Sequence, residues 1–171
     1  MSFTLVLGGA RSGKSAFAQG EAEAQAALVG GRLVMIATAQ AFDDEMVERI
    51  ARHRLDRGEA WVTLEAPIDL SVALAGLSAS DIVVVDCLTL WLSNLILTEQ
   101  DIPAAAAELV EATAGFDGAL WLVANEVGFG IVPDNALARR FRDEAGRLHQ
   151  VLAQAADNVT LVVAGLTLRM K

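Results

Sequence analysis

Cysteine is nearly absent from this chain of 171 residues. Cys87 is the only one, so no internal disulfide can form, and a reducing, cytoplasmic setting fits. Histidine is scarce too: His53 and His149 are the only two. Long apolar runs are missing. No stretch reaches the ~20 residues of a membrane span, although 54% of the chain is hydrophobic. The N-terminus lacks the charged start and long apolar stretch of a secretory signal. Positive charge is in deficit. The 13 Lys and Arg against 22 Asp and Glu leave a net charge of −9. That argues against a nucleic-acid partner. A small anionic ligand stays open, because the arginines are grouped. Repeats, low-complexity segments and linkers are also absent, and the length suits one domain over 1–171.

What is present is organised around one stretch, Gly8-Gly9-Ala10-Arg11-Ser12-Gly13-Lys14-Ser15. It follows the apolar run 3–7, a short buried strand, and leads into 16–24, a helix. The pattern G-x-x-x-x-G-K-S is the phosphate-binding loop. Glycines let the backbone turn so that successive N–H groups face an anion. The helix beginning there adds its positive end. Lys14 supplies a charge for the β- and γ-phosphates, and Ser15 a hydroxyl for Mg²⁺.

The rest alternates strands with helices. Strands are expected at 32–37, 61–64, 81–86, 119–124 and 159–164, with an edge strand at 166–170. Helices are expected at 46–57, 68–77, 88–97, 103–114 and 135–156. This order predicts an α/β fold, a mostly parallel sheet with helices on both faces. Trp91, Trp121 and Cys87 are expected in the core.

In such a sheet, ligands bind beyond the carboxyl ends of the strands. The polar residues there are the loop itself, Thr38, Glu65, Asp86 and Asn125-Glu126. Asp86 ends a hydrophobic run, as a metal-holding Walker-B acid does; a turn or helix cap is the alternative. His53 shares a helix face with Arg49 and Arg57, and Arg52 and Arg54 adjoin it. Neighbouring cations disfavour imidazolium, which leaves a neutral, nucleophilic ring beside groups that attract polyphosphate. Spacing alone leaves open a solvated helix face. A second basic group, Arg139, Arg140, Arg142 and Arg147, sits on the last helix. His149, two residues further, is expected at the surface or an interface. The 125–133 loop, with two glycines and a terminal proline, suits a substrate loop.

Taken together, GGARSGKS (8–15), IATAQAFDDEMVERIARHR (36–54), WVTLEAP (61–67), VVVDCLTLWLSNLI (83–96), NEVGFGIVP (125–133) and ARRFRDEAGRL (138–148) cover nearly the whole chain in order. In these the chain resembles the bifunctional adenosylcobinamide kinase/adenosylcobinamide-phosphate guanylyltransferases of cobalamin biosynthesis. The phosphate loop is shared with many families; the 36–54 and 125–133 segments are specific. The resemblance implies a RecA-like P-loop NTPase fold and a homotrimer. It implies phosphorylation of adenosylcobinamide with ATP or GTP. It further implies transfer of GMP from GTP to adenosylcobinamide phosphate, through a guanylylated histidine that maps onto His53. Nucleotide contacts map onto 8–15, Ala37, Thr38, Arg54, Glu65 and Asp86, and metal contacts onto Ser15 and Asp86. Two residues depart from the family pattern: His149, where asparagine follows G-R-L, and Thr167, where proline is common.

Two other readings keep the phosphate loop. One is a small-molecule kinase with a single activity, in which His53 only contacts phosphate. The other is a nucleotide-dependent binding or switch protein, which would consume no cobinamide. The arginine-flanked His53 separates the two-step enzyme from the simple kinase.

Overall fold

A computed structural model describes residues 2–40 and 60–171. The strands are β1 (Ser2–Gly8), β2 (Arg32–Ala37), β3 (Trp61–Glu65), β4 (Asp81–Asp86), β5 (Ala119–Asn125), β6 (Asn158–Val163) and β7 (Leu166–Arg169). The helices are α1 (Lys14–Val29), α2 (Leu70–Ala75), α3 (Leu88–Leu97), α4 (Ile102–Gly115) and α5 (Ala136–Ala155). The helix expected at 46–57 lies outside the described residues.

The strands form one sheet in the order β3-β2-β4-β5-β1-β6-β7. All neighbours are parallel except β6 and β7. Strand alternation splits the core into two layers. Leu5, Val34, Ile36, Val83, Val85, Leu120 and Leu122 face the layer filled by Leu74, Trp91, Leu95, Leu109, Leu148 and Leu152 of α2 to α5. Val6, Met35, Val84, Trp121 and Val123 face the other, where α1 lays down Ala18 and Ala22. Those two alanines are a helical turn apart and fully buried, so α1 sits close against the strands. Trp91, Trp121 and Cys87 are buried as expected.

Local chemistry sets the boundaries. α1 runs five residues past the expected end, because Gly30 at φ 74° closes it, with its N–H donating to the Ala26 carbonyl at 2.8 Å. α2 is shorter than expected. The Ile68 carbonyl accepts from Trp91 Nε1 at 2.7 Å and from the Leu70 N–H at 2.9 Å, which holds Ile68 ahead of the helix. Asp101 caps α4 through the Ala104 N–H, with Pro103 in the first turn. Asn135 caps α5 through the Ala138 N–H. At the other end of α5, Lys171 Nζ donates to the carbonyls of Ala153, Gln154 and Ala156, a cation at a helix C-terminus.

Candidate active site

The phosphate loop connects β1 to α1 at the carboxyl edge of the sheet. Gly13 takes φ +96°, a left-handed conformation that glycine adopts without strain. Arg11 takes φ +55° and points into solvent. The Ser12 N–H donates to the Gly9 carbonyl at 3.2 Å and the Phe17 N–H to the Gly13 carbonyl at 2.9 Å. Lys14 is only 7% exposed and folds back so that Nζ donates to the Gly9 carbonyl at 3.2 Å. Gly9, Ala10 and Arg11 are exposed, and Ser15 is half-buried. Ser12 Oγ is buried without a partner among the described residues.

The loop is braced from the far end of the chain. The β6–β7 turn, Ala164-Gly165, has both residues at positive φ. The Gly165 N–H donates to the Ser12 carbonyl at 2.8 Å. A Cβ on Gly13 would lie 3.3 Å from Gly165 Cα, so the turn packs tightly against a position whose positive φ already favours glycine. On the other side the Glu126 N–H donates to the Gly8 carbonyl at 3.0 Å, continuing the β1–β5 pairing one residue past Gly8 and Asn125.

The strand ends align. Ala37 pairs with Glu65 on one side and with Asp86 on the other. Asp86 is half-buried and Glu65 exposed. Thr38 is fully buried. Its hydroxyl donates to the Cys87 carbonyl at 2.7 Å and accepts from the Cys87 N–H at 2.9 Å. In this state the hydroxyl ties the end of β2 to the residue after Asp86. Asn94 completes the strut from α3, donating to the carbonyls of Thr38 and Pro67 at 2.8 and 3.0 Å. Burial pushes the Cys87 thiol above its ordinary pKa, with Asp86 adding to the rise, so it stays a thiol. The sheet therefore brings 8–15, Ala37, Thr38, Glu65 and Asp86 to one edge. His53 and Arg54 lie outside the described residues.

His149 corrects the sequence expectation. It is 8% exposed, turned inward from α5, with Nδ1 3.7 Å from Glu126 Oε2. Burial lowers its pKa, and the Glu126 carboxylate opposes the shift. Glu126 Oε1 accepts from the Gly128 N–H at 2.6 Å. The second basic group is mostly engaged locally. Arg139 Nη1 donates to the carbonyls of Pro133 and Asp134, each at 2.9 Å, and so fixes the end of the 125–133 loop. Arg142 pairs with Asp143 and Arg147 with Glu144. Arg140 is exposed.

A loop of this pattern between a buried strand and a helix, on a parallel sheet of this order, defines a P-loop NTPase domain of RecA-like type. Two solved structures share the fold at 14% sequence identity: an ATPase domain (TM-score 0.53, 94% of this chain, 68% of that one) and the flagellar accessory protein FlaH from Methanocaldococcus jannaschii (TM-score 0.54, 99% and 78%). Within that class, the chain belongs to the cobinamide kinase/cobinamide phosphate guanyltransferase family, whose pattern matches residues 4–170. The bifunctional adenosylcobalamin biosynthesis protein CobP of Pseudomonas aeruginosa is 46% identical over 170 residues, 98% of this chain and 96% of the relative. The bifunctional protein CobU of Escherichia coli is 40% identical over 185 aligned positions, 98% of both chains.

Proposed function

We propose that this chain catalyses two successive transfers on adenosylcobinamide. In the first, the substrate hydroxyl attacks the γ-phosphorus of ATP or GTP, the bridging P–O bond breaks, and the nucleoside diphosphate leaves. In the second, the imidazole of His53 attacks the α-phosphorus of GTP and pyrophosphate leaves. The phosphate of adenosylcobinamide phosphate then attacks that phosphorus, the N–P bond breaks, and adenosyl-GDP-cobinamide forms with the imidazole restored. The observation that carries this reading is family membership over nearly the whole chain, with relatives named as bifunctional in the same pathway.

The phosphate loop supports the kinase step. Its backbone N–H groups and Lys14 hold polyphosphate oxygens and stabilise the charge that develops on them. Ala37, Thr38, Glu65 and Asp86 frame the rest of the nucleotide site, Thr38 as a buried strut. Arg54 and the arginines around His53 give the second step its cations. Mg²⁺ favours one or two protein oxygens together with phosphate oxygens and waters. The Ser15 hydroxyl and Asp86 carboxylate suit that role. Among the described residues no cluster of three or more His, Cys, Asp or Glu offers a cage made of protein alone. When bound, the ion neutralises phosphate charge. A homotrimer in the cytoplasm belongs to the same proposal. No helix among the described residues is long and apolar enough to cross a membrane.

Incubation with α-labelled GTP tests the second step. The chain should take up a label that is acid-labile and alkali-stable, as a histidine phosphoramidate is. His53→Ala should lose it while still binding nucleotide. His149 is the only other histidine. A label that survives His53→Ala places the nucleophile elsewhere and overturns the assignment.

A further inference from the structure

The kinase step releases a proton from the substrate hydroxyl, and some group must take it. We infer that Glu126 is that group, with His149 as the residue that positions its carboxylate. The inference rests on the two-step reading above, and it adds the catalytic base that the reading leaves unassigned.

Lateral distance across the sheet separates the carboxylates at its carboxyl edge. Neighbouring strands lie about 4.8 Å apart. Glu65 ends β3, four strands from the phosphate-loop strand β1, or roughly 19 Å. Asp86 ends β4, two strands away, or roughly 10 Å, and is assigned to the metal. Glu126 follows β5, which pairs directly with β1, and its own N–H is bonded to the Gly8 carbonyl. It is the carboxylate nearest the loop among these three.

Its side chain is held yet accessible. One oxygen accepts from the Gly128 N–H at 2.6 Å; the other lies 3.7 Å from His149 Nδ1 and is free to accept a proton. The side chain is 20% exposed, so a substrate can reach it. His149, by contrast, is buried behind it. It is too enclosed to meet a substrate, and from 3.7 Å it backs the carboxylate as a packing neighbour.

α1 covers the Val6 side of the sheet, whereas His149 comes from α5 on the Leu5 side. On that side, α3 and the start of α5 flank an apolar groove of about 380 Å³ lined by Ile96, Leu97, Leu137 and Phe141. Glu126 meets α5 on this same side of the sheet through His149, and in the inferred step the acceptor alcohol reaches the γ-phosphate from that side. In the step, the hydroxyl oxygen bonds to the γ-phosphorus. Its proton moves to the carboxylate, and the nucleoside diphosphate departs with the electrons of the broken bond.

The test follows cobinamide phosphorylation with γ-labelled ATP. Glu126→Gln keeps the acceptor for the Gly128 N–H, so the loop should stay folded. Its kcat should fall by about 10²–10⁴, with the KM for ATP within about twofold of the unaltered chain. Glu126→Ala should be partly rescued by added formate or acetate. His149→Phe should lower kcat about tenfold and leave KM unchanged. A Glu126→Gln kcat within about threefold of the unaltered chain overturns the assignment of the base, and an unchanged kcat in His149→Phe overturns the positioning role. If the unaltered chain transfers no phosphate to cobinamide, the two-step reading falls, and this inference with it.

Discussion

Replacing Gly8 with alanine tests the packing beneath the phosphate loop. The new Cβ would stand 2.5 Å from Ser12 Oγ and 2.5 Å from the Val162 carbonyl oxygen. The hydroxyl can rotate away. The carbonyl cannot, because Val162 is held in β6 between Gly8 on one side and Thr167 of β7 on the other. Ordinary contact begins at 3.4 Å, so 3.4 − 2.5, about 0.9 Å, must come from backbone movement. Overpacking of this kind costs about 1–3 kcal/mol. For a chain of this size each kcal/mol lowers Tm by about 2–4 °C, so a loss of about 2–12 °C is expected. The same movement shifts the carbonyl that accepts from the Glu126 N–H and the turn that leads to Lys14. Nucleotide affinity should therefore fall at least tenfold. Gly9 is the internal control for stability. A Cβ there meets nothing within 4 Å, and Gly9→Ala should keep Tm within about 2 °C. Differential scanning calorimetry and nucleotide titration read both quantities. A Gly8→Ala chain with unaltered Tm and affinity would refute the packing argument.

Two further substitutions probe the loop and the opposite edge of the sheet. Lys14→Ala removes the charge on the β- and γ-phosphates and should slow phosphorylation by roughly 10²–10³, measured with γ-labelled ATP at saturating cobinamide; a rate near that of the unaltered chain would count against the role. Asp81 is held by Arg32 through two hydrogen bonds of 2.8 and 2.9 Å, which depress its carboxyl from 3.8 to about 2. Its stabilisation is complete above the unfolded pKa of 3.8 and fades as pH falls through about 2. The full linkage value, about 2.4 kcal/mol, is reduced by solvent screening to about 1–1.5, because the Arg32 side chain is 55% exposed. Urea unfolding should show Asp81→Asn less stable by that amount at pH 7, with the gap closing as pH falls through about 2; a gap independent of pH would contradict it.

The elements were most legible where the sequence punctuates itself. β4 and α3 have the expected limits at both ends, because Asp81 and Asp86 bracket a β-branched run and Cys87 intervenes before the helix. Boundaries set by distant partners were not legible. Nothing near Ile68 shows that Trp91 takes its carbonyl, and so α2 is shorter than its pattern. The phosphate loop was legible in full as a motif, while its brace at Gly165 comes from a turn some 150 residues later. Thr38 was legible as a strand-end residue, not as a hydroxyl closed on Cys87. His149 reads as a surface or interface residue because it follows Arg147 on a charged helix. Its burial depends on how α5 rotates against Glu126, a contact that no local pattern encodes.

The strand register divides the carboxylates by height as well as by lateral distance. Asp86 pairs with Val123 of β5, and Gly8 pairs with Asn125, two residues further along the same strand. At about 3.3 Å per residue, the phosphate loop therefore leaves the sheet roughly 7 Å above the row that holds Glu65, Ala37 and Asp86. Glu126 stands one residue higher still, beside the loop. In the proposed function, the carboxylate on the lower row, two strands aside, is the one that would hold the metal. A carboxylate on the upper row, bonded through its backbone to Gly8, suits the proton of an acceptor arriving from above. Asp86 and Glu126 carry the same functional group. What separates their positions is the two-residue offset between β4 and β5, which the sheet fixes through the hydrogen bonds of its parallel ladder.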